Sequence, residues 1–372
     1  MAETSAAPAP PSEPAGPASP VEQPAPAAQP RRRRPLLRYL AVRFGVSCLL
    51  LVGVTLVTFT LTNLVPGDPV ASALGQRAAE DEATVAAFRE RYGLDEPLYV
   101  QYGIYLSNLA RGDLGISQQT HRPVLQDLRA AVPATLELAL WAVFFSLLIG
   151  VMFGVWSAYR RGRVTDQVLR VVSLTGLSVP TFWMAMVLFY VFSYRLRVVP
   201  GSGRLSPLIA PPPRRTGLMT LDSLLAGRFD AFLDASAHLI LPVAVLTMYT
   251  VGLLTRFVRS AVLEVLDQDY VRAAHAKGLS GGRVLFSYVL RGAALPILTV
   301  VGLAFGTLLS GTVLVESVFS WQGLGSYAFK SATSLDLPGV MGVGLVVGII
   351  YLVTNFVVDI LYGVLDPRVR VS

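Results

Sequence analysis

The chain has 372 residues, 53% of them hydrophobic and only 15% charged, with a mean hydropathy of +0.56. A soluble domain carries about 25% charge, so the composition excludes an ordinary water-soluble globule and points to a bilayer as solvent. The net charge of +7 then reads as basic cytoplasmic loops and not as a nucleic-acid surface. One cysteine, Cys48, excludes an intrachain disulfide, and His121, His238 and His275 are too scattered for a metal motif.

In chain order, residues 1–30 are almost wholly Ala, Pro, Ser, Glu, Gln and Gly. Such a segment cannot bury enough apolar surface to offset its ordering entropy, so 1–35 is expected to be a disordered cytoplasmic tail with a basic end. Arg31–Arg34 precede a first apolar run from Leu36 to Leu64. That run is long enough to span and ends in "NLVPGDP" without an Ala-x-Ala cleavage site, which favours a retained span over a signal peptide. Residues 65–132 are mixed and polar. Phe88, Tyr92, Tyr99 and Tyr102 suggest short amphipathic helices there.

Five further apolar runs follow, at about 133–158, 168–194, 238–258, 293–315 and 341–363. Each covers a hydrocarbon core of roughly 30 Å as a helix. Gly150, Gly154, Gly302, Gly306 and Pro180 inside them are compatible with close packing of membrane helices. Basic residues cluster in the loops of one side: Arg31–Arg34, Arg160, Arg161, Arg163, Arg259, Arg272, Lys277, Arg283, Arg368 and Arg370. By the positive-inside rule that side is cytoplasmic, giving six spans with both termini inside. Loops 65–132 and 195–237 lie outside, and 316–329 is expected to fold back as a re-entrant or interfacial piece anchored by Trp321 and Tyr327. The fold class is thus all-α and polytopic.

Chemistry-bearing residues are sparse. Glu137 lies near the outer end of the second span. Asn355, Asp359 and Tyr362 share one helical face of the sixth, where Asp359 reads as a packing carboxylate paired with Arg368 or Arg370. The string Leu279-Ser-Gly-Gly282 evokes nucleotide hydrolysis, but no Gly-x-x-x-x-Gly-Lys-Ser/Thr loop exists to cradle phosphates. It reads as a turn. The surrounding segment is polar and helix-forming from about Glu264 to Lys277. It ends at Gly278, where glycine accepts a left-handed backbone, and a second helix begins near Arg283. Helix, glycine turn and helix make a compact cytoplasmic knob.

"DYVRAAHAKGL" (269–279) resembles the cytoplasmic coupling loop of permease subunits in binding-protein-dependent ABC importers, with Arg272-Ala273-Ala274 and Gly278 in register with an E-A-A…G pattern. Arg272 in place of Glu, and Leu-Pro displaced to Leu295-Pro296, resemble the B-type subunit of the dipeptide/oligopeptide/nickel branch. "RYGLDEPLYVQY", "GDLGIS", "PATLELAL", "GLSVPTFW", "HLILPV", "ESVFSWQGLG" and "DILYGVLDPR" extend the resemblance over residues 36–370. The stretch "LIAPPPRRTGLMT" (208–220) falls outside the pattern, and Gly292 stands where an asparagine is expected.

The resemblance implies a passive half of a translocation pathway in a bacterial inner membrane, for di- or oligopeptides or, alternatively, nickel. It implies a second, C-type permease subunit, two ABC ATPase subunits that use ATP and Mg, and an extracytoplasmic substrate-binding protein. The chain itself would bind no cofactor. The implied domains are 36–131 (first helix and external region), 132–366 (transporter domain, coupling loop 259–292) and 367–372 (cytoplasmic end). The implied coupling residues are Asp269, Tyr270, Arg272, Ala273, Ala274, Lys277 and Gly278, and candidate pathway or packing residues are Pro180, Asn355 and Asp359. A secondary transporter is the rival, but it calls for an internal repeat with matching interrupted helices, which is not seen. A membrane scaffold needs no coupling loop. Reporter fusions test the topology: fusions near Tyr99 and Leu221 should read as external and one near Gly162 as cytoplasmic. A cytoplasmic signal at Leu221 would break the arrangement between spans three and four.

Overall fold

The computed structural model describes residues 36–64 and 81–365, and among these no strand forms. Residues 1–35, expected as a tail, "NLVPGDP" beyond Leu64, Arg368 and Arg370 lie outside the described residues, as do the side chains of Phe88 and Tyr92. The helices are α1 (Leu36–Leu64), α2 (Glu82–Tyr92), α3 (Leu98–Ala110), α4 (Val124–Tyr159), α5 (Val164–Ser178), α6 (Thr181–Leu188, continued by a π-helical turn Phe189–Arg195) and α7 (Met219–Leu225). After them come α8 (Phe229–Leu266), α9 (Asp269–Ala276), α10 (Gly281–Val284, leading through π-helical Leu285–Val289 into α11, Leu290–Val318), α12 (Leu324–Thr333) and α13 (Leu337–Leu365).

Four of these segments are long and apolar enough to cross a membrane: α4, α8, Gly281–Leu309 and α13. The third apolar run differs from the continuous span expected at 168–194. It is two helices, α5 and α6, bent by 98°. The break has a local cause. Val179 precedes Pro180 and is therefore pushed out of the α region, to φ −86°, ψ 127°, and Pro180 then serves as the N-cap of α6. In α1 the described apolar stretch is shorter, Phe44–Thr60.

The bundle is organised around α8, which packs against α4, α5, α6, α7 and α11. Of its most apolar stretch 67% is buried, against 17% for α13, so α8 is the central helix and α13 a peripheral one. Contact is close because small residues meet bulky ones. A Cβ on Gly150 would lie 2.7 Å from Leu254 Cβ, and one on Gly154 2.7 Å from Val258 Cβ. The crossing of α5 and α8 is tighter still. A Cβ on Gly252 would meet the Ser173 carbonyl oxygen at 2.2 Å, and one on Gly176 would meet the Met248 carbonyl oxygen at 2.3 Å. Without a hydrophobic driving force between helices in lipid, such backbone proximity is the main source of packing energy. Large apolar side chains on the outer faces, including Trp141, Phe144, Leu148 and Met152 of α4, stay exposed.

Helix α3 lies on α1. Tyr102 stacks near Phe59 and Tyr105, and its hydroxyl reaches Thr55 Oγ1 at 3.0 Å and donates to the Val52 carbonyl at 3.1 Å. Tyr99 points away and is exposed. Burial, with Tyr102 beside it, pushes the Tyr105 hydroxyl up to about 12.

Gly252→Leu is expected to abolish the monodisperse folded peak in fluorescence-detected size exclusion, because overpacking against a backbone carbonyl costs about 3 kcal/mol or more. Gly53→Leu, at a site where a Cβ meets nothing within 4 Å, should leave the peak intact.

Candidate functional site

At one end of the bundle a short helix, a glycine turn and a second helix (α9 and α10) form a knob between α8 and α11, with residues 259–266 still part of α8. Helix α8 ends at Leu266, and Asp267 and Gln268 interrupt what the sequence suggested as one helix from Glu264 to Lys277. Gln268 is extended (φ −77°, ψ 144°) and starts α9, whose N-terminal turn carries Asp269, a favourable charge for a helix start. Asp269 pairs with Arg272 one turn on. Both are exposed, so the pair adds little stability. Gly278 closes α9 at φ +74°, with its N–H donating to His275 O at 2.9 Å. The left-handed turn requires glycine, although a Cβ there would meet nothing within 4 Å. Leu279 follows, then Ser280, the N-cap of α10, so Leu279–Gly282 is a turn and helix start, as expected.

The knob is held to the bundle by an apolar cluster that includes Ala158, Val258, Val262, Val265, Val271, Ala274, Val284, Val289 and Ala293. Ala274 is 3% exposed and Ala273 is exposed. The two alanines among the implied coupling residues thus differ in their surroundings. Ala274 is small because α9 lies directly on its own chain, and of the two only Ala273 faces outward. The outward face also carries Arg272, His275, Lys277, Arg283 and Phe286, so it is basic with one large apolar side chain. Tyr270 is partly exposed at 46%, and its hydroxyl would lie 2.6 Å from a Cβ on Gly292. That contact explains why glycine stands at 292.

Beside the knob, a buried carboxylate ties the α4–α5 loop to α8. Asp166 accepts from Arg259 Nε at 2.9 Å and Arg259 Nη2 at 3.0 Å, from Ser157 Oγ and from Gly162 N at 3.1 Å. The sequence reading counted Arg259 only as a basic loop residue.

The opposite end is built in the same manner. Glu137 of α4, 2% exposed, accepts from Thr220 N at 2.7 Å, Thr220 Oγ1 at 2.6 Å, Met219 N at 3.1 Å and Arg204 Nη2 at 2.7 Å. It therefore caps α7 and pins loop 196–218 to the bundle. Asp222 closes that loop by accepting from the N–H groups of Arg215, Thr216 and Gly217. Burial pushes its carboxyl up, but these hydrogen bonds outweigh it and hold the pKa below the ordinary 3.8. A lowered pKa means the contribution is complete above the ordinary value and is lost as pH falls through the folded one. Glu316 accepts from Thr135 Oγ1 at 2.6 Å and Ser326 N at 2.8 Å, and so caps α12. Asp336 accepts from Ser117 Oγ at 2.5 Å and Gly339 N at 3.2 Å.

The 316–329 piece does fold back, but Trp321 (1% exposed) and Tyr327 (9%) are buried in the protein and do not serve as interfacial anchors. Trp321 Nε1 donates to the Ala134 carbonyl at 3.0 Å. The remaining candidates stay apart. Pro180 marks the α5–α6 break, and Asn355 and Asp359 are half-buried on α13. Tyr362 on the same face is hydrogen-bonded to Thr299 of α11.

Apolar helices with internally clamped ends define an integral membrane protein. Its relatives give the family. The chain matches the model of the binding-protein-dependent transport system inner membrane component over residues 150–371, and that of the N-terminal membrane component over 36–139. It belongs to this family. It is 45% identical over 321 residues to the probable D,D-dipeptide transport system permease protein DdpB of Escherichia coli K12, covering 86% of this chain and 94% of the relative. It is 45% identical over 335 residues to the di/tripeptide transport system permease protein DppB of Pseudomonas aeruginosa, covering 90% and 99%. It is 36% identical over 333 residues to the oligopeptide transport system permease protein AppB of Bacillus subtilis, covering 89% and 99%.

Glu137→Ala should lower the thermal stability of the detergent-purified chain by about 3 kcal/mol, since it strands Arg204 and two helix-start N–H groups. Asp230→Ala, which removes an exposed partner of Arg228, should leave the same melt essentially unchanged.

Proposed function

We propose that this chain is a permease subunit of an ATP-driven importer, forming half of the translocation pathway for di- or oligopeptides delivered by a substrate-binding protein. What carries the reading is its likeness, along nearly the whole length, to permeases named for D,D-dipeptides, di/tripeptides and oligopeptides. The six spans are α1, α4, the bent pair α5–α6, α8, α10–α11 and α13, in a bacterial inner membrane. The knob end faces the cytoplasm, as do both termini, and the end with Glu137 and Glu316 faces outward. The first helix and external region occupy 36–131, the transporter domain 132–366 and the coupling loop 259–292.

A second permease subunit completes the pathway and two ATPase subunits dock on the knob. ATP and Mg belong to those subunits, and this chain performs no covalent chemistry. The docking surface is the outward face of α9 and its turn: Asp269, Tyr270, Arg272, Ala273, Lys277 and Gly278. Ala274 supports it from beneath. The knob packs on the C-terminal end of α8 and on the start of α11, so a push on it moves both helices as a unit. That is the structural requirement for switching between inward and outward openings.

The test is reconstitution of the complex in proteoliposomes, with uptake of a labelled dipeptide and hydrolysis measured together. Gly278→Val forces a β-branched residue into a left-handed turn. It should leave this chain inserted and its partner permease bound, while hydrolysis no longer responds to delivered substrate and uptake falls at least tenfold. Normal coupling and uptake in this variant would remove the knob from the mechanism.

A further inference from the structure

At the end of the bundle opposite the knob, a cavity of about 540 Å³ opens between the first turns of α4, the loop before α7, and α12. Pockets for small ligands have this size. Part of its wall is Pro211, Pro212, Arg214, Gly217 and Met219, from the 208–220 stretch that falls outside the resembled family pattern. That wall is preformed, because Asp222 gathers three of its N–H groups and Glu137 holds Arg204. The charge of Arg204 is thereby paired with Glu137, and Asp222 is buried with its oxygens taken up by N–H and hydroxyl groups of the loop.

Three other charged groups line the cavity. Lys330 of α12 is exposed and makes no ion pair among the described residues. Arg214 is exposed, donates to the neutral carbonyl of Arg129, and makes no ion pair among the described residues. Asp127, in the first turn of α4, accepts from the Thr120 hydroxyl and has no cationic partner among the described residues. The cavity therefore presents two cations and one carboxylate without an ion pair among the described residues, on a lining that also carries Gln119, Gln322, Ser326 and Tyr327.

We propose that this cavity is a binding site for a short peptide with free termini. Its carboxylate is held by Arg214 and Lys330, and its ammonium by Asp127. A concave site with both signs of charge matches a zwitterion, whereas an acidic side chain from a docking protein would use the cations alone. The inference rests on the peptide-cargo reading and adds a station to it: a site on the permease itself, occupied outside the binding protein.

The test is equilibrium binding of radiolabelled Ala-Ala to the assembled transporter in lipid nanodiscs, without ATP or binding protein. Saturable binding is expected. Arg214→Gln and Lys330→Gln should each weaken it about fivefold, roughly the worth of one partly exposed charge-assisted contact. Neither should weaken binding of the C-terminal amide, which already lacks the carboxylate. Asp127→Asn should weaken Ala-Ala about fivefold but not its N-acetyl form. Absence of saturable binding in a complex that still takes up Ala-Ala would overturn the site and leave the peptide-cargo reading standing. Variants that impair binding-protein docking but bind Ala-Ala normally would also overturn it, and would assign the cations to an acidic side chain of that protein. A complex that takes up no peptide at all would instead sink the peptide-cargo reading.

Discussion

A bilayer offers no hydrogen bonds, so each helix start and chain reversal at its margin must be satisfied from within the protein. Here that task falls to buried carboxylates. Glu137, Glu316 and Asp336 each collect N–H groups from the first turn of a following helix, and Asp166 and Asp222 collect those of a loop. A carboxylate suits this position because it is acceptor-only and complements the positive end of a helix. Glu137, Glu316, Asp336 and Asp166 also take a hydroxyl or guanidinium from a distant segment. Loops that would otherwise be loose thereby become rigid attachments of the bundle.

These clamps sit at the two ends of one rod. Helix α8 runs for 38 residues, about 57 Å at 1.5 Å per residue. Its N-terminal end lies by the α7 loop held by Glu137 and Asp222. Its C-terminal end carries Arg259, bound to Asp166, and enters the apolar cluster beneath α9. The Gly252–Ser173 and Gly154–Val258 contacts fix α5 and α4 against the rod at backbone distance.

Much of this was legible in the sequence. Long apolar runs placed most of the helices, Gly278 placed the turn, and Gly150 and Gly154 marked one close crossing, whereas Gly176 and Gly252 at the tightest one carried no signal of their own. The break at Val179 was not legible, because proline alone does not discriminate. Pro133, Pro242 and Pro296 all lie inside continuous helices, whereas Pro180 ends one. The role of Glu137 was hidden for a different reason. Its partners are more than sixty residues away, and no local pattern marks them. The burial of Ala274 was not legible either, because an alanine that faces outward and one packed on its own chain look alike in a sequence.

The contact between Tyr270 and Gly292 joins α9 to the start of α11. A side chain at 292 would collide with the Tyr270 hydroxyl at 2.6 Å and with Val265 Cγ1 at 3.0 Å. A side chain at that position therefore asks the Tyr270 ring to swing aside and Val265 to give by a few tenths of an ångström. The two positions are coupled through space: what stands at 292 sets where the tyrosine can lie on the outward face of α9.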